Sequence, residues 1–227
     1  MGGKTLIKLD IISDPICPWC FIGKSYLDRA LEAHPDHPFA IEWHPFQLNP
    51  EMPAEGMDRR AYLEGKFGGK DGAVRAYAPV VENAQKAGVE INFEEIKRTP
   101  NTLDAHRLIH WAGIESKQTL VKSALFKAYF TDGRDIGDRE VLAAIAGECG
   151  MGAMVVGHLL KSDADVEDIK TRDTHARERG VTGVPCFIIE NQHVISGAQP
   201  PELWGNVIKE LMEQIDDQAD PSENDDA

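Results

Sequence analysis

The segment Cys17-Pro18-Trp19-Cys20 stands where one hydrophobic period gives way to another, and no other stretch restricts the fold as tightly. Before it, Ile7, Leu9 and Ile11 alternate with Lys8 and Asp10, which predicts a strand over Thr5–Ile12. Ser13-Asp14-Pro15 breaks that strand. After the cysteine pair, Cys20, Gly23, Leu27, Ala30 and Leu31 fall on one helical face, and His34-Pro35-Asp36-His37-Pro38 ends the helix. Phe39, Ile41 and Trp43 then alternate with Ala40, Glu42 and His44, giving a second strand. The chain opens as β-α-β with two thiols at the strand-to-helix turn.

From Asp58 to Gly180 no strand pattern is visible. Helical patterns cover Arg59–Phe67, Ala73–Ala87, Thr102–Ala112, Lys117–Phe130, Arg139–Cys149, Ala153–Leu160 and Val166–Arg179, with glycines between them. Strand character returns at Val184–Ile189, and Asn191-Gln192 predicts a hairpin into His193–Ser196. A last amphipathic helix, Pro201–Ile215, aligns Leu203, Val207, Ile208, Leu211 and Ile215. The expected class is α/β: a discontinuous unit from 1–57 and 181–215, split by an all-helical insertion over 58–180, and followed by a tail over 216–227. No internal repeat is evident.

Placement gives the cysteine pair its chemistry. Pro18 occupies the first helical position, where its missing N–H costs nothing. The free N–H groups and the positive end of the helix dipole then face Cys17 and favour its thiolate, the form that attacks disulfides. Cys20, three residues on, lies on the same side and can resolve a mixed disulfide. A zinc half-site is the alternative. It needs two more ligands from Cys149, Cys186 or the histidines, none of them in a second Cys-x-x-Cys. Pro185, after Gly183-Val184, opens the late strand; a cis bond there would turn the Val184 backbone toward an extended substrate, and a trans proline on an edge strand is the plainer alternative.

Composition narrows the partners. The 227 residues carry a net charge of −14, of which Asp216–Ala227 contributes six acids and no base. That balance argues against nucleic acid or an anionic membrane surface as partner, and the tail reads as solvated and disordered. Four cysteines are too few for a disulfide scaffold. No apolar run reaches membrane-spanning length, and Lys8 and Asp10 interrupt what a secretory signal would need. The expectation is a cytoplasmic protein.

The whole pattern resembles the thioredoxin fold in its DsbA-like branch. Asp14-Pro15-Ile16-Cys17-Pro18-Trp19-Cys20-Phe21-Ile22-Gly23-Lys24, Asn101-Thr102-Leu103-Asp104-Ala105-His106-Arg107 and Thr182-Gly183-Val184-Pro185-Cys186-Phe187 are similar to the FrnE-type cytoplasmic subfamily. The resemblance implies thiol–disulfide exchange: Cys17 attacks, Cys20 resolves, and Pro18, Trp19, Val184 and a cis Pro185 shape the substrate groove. The substrate would be a disulfide-bearing protein or a small thiol, with no bound cofactor and glutathione as a candidate co-substrate.

The same superfamily holds the 2-hydroxychromene-2-carboxylate isomerases and kappa-class glutathione transferases. These generally carry Ser where this chain has Cys17, and an acidic residue where it reads Ser196-Gly197-Ala198-Gln199. A glutathione-dependent isomerase or transferase using Cys17 alone is therefore the rival enzyme class, and a redox-independent chaperone using the apolar surface around Trp19 is a third.

Weaker signals remain. His106 and His110 have helical metal-ligand spacing without a third ligand, so no metal is expected. The resemblance places Asn101, Thr102, His106 and Arg107 at a helix start facing the cysteines. There His106 or Arg107 would favour the Cys17 thiolate or guide a substrate carboxylate; a simple N-cap from Asn101 or Thr102 is the alternative. Cys186 and Cys149 read either as small apolar residues or as a third redox thiol.

Overall fold

The computed structural model describes residues 6–219. Strand β1 (Ile7–Ser13) pairs in parallel with β2 (Phe39–Pro45), and helix α1 (Pro18–Ala33) is the crossover between them. β5 (Cys186–Ile189) lies antiparallel to β1 on its other side, and β6 (His193–Ser196) completes the sheet in the order β2-β1-β5-β6. The β5–β6 turn is centred on Glu190 and Asn191, with φ of 50° and 57°, one residue earlier than the sequence implied. Leu9 and Ile11 face α1 and the last helix, α9 (Pro201–Ala219), among Leu27, Phe187 and Trp204. Ile12, Cys186 and Ile188 face the other way, against Ala176 and Val181. Trp204 is fully buried, with Phe187 and Phe39 edge-on at 4.8 and 6.4 Å between ring centroids.

Between β2 and β5 run β3 (Met57–Asp58), α2 (Arg59–Phe67), α3 (Lys70–Ala87), β4 (Arg98–Thr99), α4 (Leu103–Ile114), α5 (Gln118–Phe126), α6 (Arg139–Glu148), α7 (Ala153–Leu160) and α8 (Val166–Glu178). Four features correct those expectations or add to them. First, β3 and β4 form a two-residue antiparallel ladder inside a block that showed no strand, because a pair this short has no period to detect. Second, the helix expected over Lys117–Phe130 ends at Phe126 and continues as a π-helical turn, Lys127–Thr131. In that turn Phe130, with Phe126, stacks on Phe21 of α1 at centroid distances of 5.6 and 5.3 Å. Third, α8, at the end of the helical block, packs on both α4 and β2 and supplies Ala176 to the sheet's second face, so the block and the sheet meet along this helix and not only at the cysteine pair. Fourth, α9 continues through Asp216 and Asp217 to Ala219, and the expectation for Asp220–Ala227 lies outside the described residues.

One apolar cluster runs from Leu9 and Trp204 through Cys17 and Cys20 to Leu108, Phe126, Ile145 and Leu160. The helical block and the sheet share this core, and the cysteine pair sits on the line between them.

Candidate active site

β1 ends by delivering Asp14 under the start of α1. Asp14 is fully buried, and its carboxylate accepts from Leu48 N–H at 2.6 Å and Ile16 N–H at 3.3 Å. Cys17 N–H donates to the Asp14 carbonyl at 3.1 Å, closing the turn. Cys17 is then the N-cap, with an extended backbone (φ −85°, ψ 115°) and Pro18 beside it. Its carbonyl starts the helix ladder by accepting from Cys20 and Phe21 N–H.

Opposite, the Val184–Pro185 peptide is cis, and the Cys17 thiol donates to the Val184 carbonyl at 3.5 Å. Gly23 permits this approach: a Cβ there would lie 3.0 Å from Pro185 Cγ and 3.4 Å from Ala198 Cα. Trp19 and Val184 together separate two depressions. One, of about 620 Å3, runs along Gly183, Pro185, Ser196 and Ala198. The other, of about 290 Å3, reaches from Cys17 to Arg59, Tyr62 and Tyr77.

The two thiols have opposite electrostatics. A hydrogen bond from the Cys20 thiol, with backbone N–H groups of Cys20 and Trp19, lowers the Cys17 pKa against the opposing effects of burial and Asp14. Burial pushes Cys20 well up, and the neighbouring Cys17 thiolate pushes it further. Beneath them, burial raises Asp14 to about 6, with Leu48, Lys122, Ile16 and Thr102 pulling the other way. Lys122 of α5 is buried over the Trp43 and Phe126 rings at 5.5 and 5.0 Å. Burial lowers it to about 8, while Cys20, Asp14 and Cys17 favour its charge. Two thiols, one acid and one amine are thus buried together, and each shifts the titration of its neighbours.

The helix at Asn101–Arg107 divides its residues between roles. Thr102 stands at the N-cap of α4 but turns its side chain to Asp14 instead of capping, and Asn101, one residue earlier, accepts from Leu103 N–H through Oδ1 at 2.9 Å. His106 is buried with Nε2 unpaired, 3.8 Å from Asp14 Oδ1. Burial and Lys122 hold its pKa well below normal, so it is neutral and lends no charge to Cys17. Arg107 points away: its guanidinium donates to the carbonyls of Leu159, Ala164 and Ser162 at 2.7–2.8 Å and to Asp104 at 2.6 Å. Of the two residues expected to face the cysteines, His106 lies beside Asp14 and Arg107 is engaged by the end of α7 and by Asp104.

His110 Nδ1 lies 3.1 Å from Arg172 Nη1, so the two helical histidines have different partners. Among the described residues, the one group of three close candidate ligands is Asp10, Glu42 and His44, which excludes the cysteines. Lys8 pairs with both acids of that group, and Arg172 with Glu42. Cys186 faces α8 and Cys149 caps α6, both raised in pKa by burial, which keeps them as thiols.

In the sequence Asp14 stands out only as part of a motif, and Lys122 and Arg59 belong to none of the motifs above. Lys122 had a readable signal: it falls on the same helical face as Gln118, Val121, Leu125 and Phe126, a lysine within an apolar stripe.

Comparison with known proteins agrees with this architecture. The chain is 27% identical over 205 residues to the uncharacterized protein YwbO of Bacillus subtilis, covering 90% of this chain and 96% of that one. It is similar to the structure of a probable DsbA oxidoreductase from Streptomyces coelicolor, at 26% identity and a TM-score of 0.81, covering 92% and 91% of the two chains. The cytosolic disulfide reductase DsbM of Pseudomonas aeruginosa, in a structure with glutathione, shares the fold at 17% identity and a TM-score of 0.66, covering 91% of this chain and 99% of that one. The DSBA-like thioredoxin domain matches residues 8–209, nearly the whole of the fold described above, and the chain belongs to that family.

Proposed function

We propose that the protein is a cytoplasmic thiol–disulfide oxidoreductase working through Cys17 and Cys20. The observation that carries this reading is the pairing of two thiols of opposite electrostatics at a helix start, with Cys17 against the Val184 carbonyl at the junction of two grooves.

The Cys17 thiolate attacks one sulfur of a substrate disulfide, forming a mixed disulfide and expelling the other sulfur as a thiolate. Cys20 then gives up its proton and attacks the Cys17 sulfur, releasing the second substrate thiolate. Two protons leave the protein thiols and two substrate thiols form, so the dithiol is oxidised as the substrate disulfide is reduced. The reverse sequence oxidises a dithiol substrate. Asp14, near neutrality at about 6, is the acceptor for the Cys20 proton, and Lys122 offsets the charge that develops. Pro18, Trp19, Val184 and Pro185 form the walls against which a disulfide-bearing protein or small disulfide lies.

The rival in which Cys17 works alone with glutathione leaves Cys20 idle, whereas here Cys20 donates to Cys17. Replacing Cys20 by Ser separates the two readings. We expect a Cys17 mixed disulfide to accumulate, seen as adduct mass, with turnover of a disulfide substrate lost. Full turnover by Cys20→Ser contradicts the dithiol cycle and favours the single-cysteine one.

A further inference from the structure

Arg59 opens α2, held there by the β3–β4 ladder and by its own N–H to the Lys97 carbonyl at 3.0 Å. Its side chain is nine-tenths buried and reaches the cavity that Cys17 lines. The guanidinium donates to Tyr129 Oη at 3.0 Å and Tyr77 Oη at 3.1 Å, with its centre 5.9 and 5.6 Å from the two ring centroids. Burial pushes both phenols up in pKa, so both are neutral and neither balances the charge.

No carboxylate pairs with Arg59 among the described residues. Asp58 caps α2 by accepting from Ala61 N–H, and Glu64 pairs with Arg60. A buried cation without a counter-ion is uncommon, because desolvation is costly unless an anion offsets it. Three of the five guanidinium N–H donors also have no protein acceptor among the described residues.

The remaining wall is consistent in sign. Lys66 lines the same cavity, donating to Tyr62 Oη at 2.6 Å, and Tyr62 in turn donates to Asn49 at 2.8 Å. The lining includes two cations and no carboxylate, in a chain whose net charge is −14. The protein is acidic overall, yet beside its attacking cysteine it is basic.

We propose that this cavity is a subsite for the anionic end of a small carboxylate-bearing disulfide, with Arg59 taking the carboxylate while a sulfur lies against Cys17. The proposal rests on the thiol–disulfide reading above and names its substrate class. In the reaction, the protein dithiol loses two hydrogens, the S–S bond of the disulfide acid breaks, the Cys17–Cys20 bond forms, and two thiol acids leave.

The test is single-turnover oxidation of the reduced protein by three small disulfides: dithiodiglycolate (anionic), hydroxyethyl disulfide (neutral) and cystamine (cationic). Each rate is divided by that of the same disulfide with dithiothreitol, which removes intrinsic reactivity. The wild-type protein needs no variant for the first result. The normalised rate is expected to be about tenfold or more higher for the anion than for the neutral disulfide, lowest for the cation, and the spread should shrink with added salt.

In Arg59→Met, and to a smaller extent in Arg59→Lys, the anion-to-neutral ratio is expected to fall toward one. A wild-type ratio at or below one, or a ratio unchanged in Arg59→Met, overturns the subsite while oxidation by hydroxyethyl disulfide leaves the dithiol reading standing. Failure of all three disulfides to form the Cys17–Cys20 bond overturns both.

Discussion

At the scale of single residues, the chemistry depends on ionisable groups buried away from solvent. Asp14 is the sharpest case. Its pKa is raised from 3.8 to about 6, so the folded state holds the proton more tightly than the unfolded state does. Its contribution to stability is fully present below about pH 4 and is lost as pH rises through about 6. Comparing wild type with Asp14→Asn by denaturant unfolding, wild type should lose on the order of 3 kcal/mol relative to the variant between pH 3 and pH 7. A pH-independent difference contradicts the buried-acid assignment. The same variant should slow release of a trapped mixed disulfide, since Cys20 loses its proton acceptor. Lys122→Met should raise the Cys20 pKa further, read by thiol alkylation against pH, because a nearby buried cation is removed.

At the scale of elements, the fit of α1 against the Pro185 loop and the anchoring of α4 make separable predictions. Gly23→Val places carbon within about 3.0 Å of Pro185, so the loop must move away from α1. The expected cost is about 1–3 kcal/mol, together with slower reaction of Cys17 with a disulfide. Arg107→Met removes the donor that ties α4 to the carbonyls of Leu159, Ser162 and Ala164 at and just beyond the end of α7, and strips those of Ser162 and Ala164 of the guanidinium they accept from. It should cost about 3–5 kcal/mol in unfolding free energy with Cys17 alkylation unchanged in the folded protein.

These two sites also mark what the sequence makes legible. The β-α-β opening, the cysteine pair at its turn, the β-β-α close and most helix bounds follow from hydrophobic period and from Pro and Gly punctuation, which are local properties. The destination of Arg107, the position of Lys122 under the thiols and the burial of Arg59 between two phenols depend on which helices meet across a core. No local pattern encodes that meeting. The β3–β4 clasp is missed for a different reason: two residues are too few to show alternation.

At the scale of the whole molecule, the shared core is the organising fact. Apolar side chains run without a break from the sheet through Cys17 and Cys20 into the helical block. A single cooperative thermal transition is therefore expected, with calorimetric and van't Hoff enthalpies equal; two resolved transitions contradict the shared core. The same continuity sets Cys17 at a junction, with an apolar helical block behind it and two grooves in front. Among the described residues no helix is long and apolar enough to cross a membrane. The central claim is that Cys17 and Cys20 act as one redox couple, and the most direct measurement is equilibration in graded mixtures of reduced and oxidised glutathione. After thiol trapping, intact mass should show loss of two hydrogens with one midpoint and no lasting adduct. A stable glutathione adduct on Cys17 without a Cys17–Cys20 bond would contradict the account.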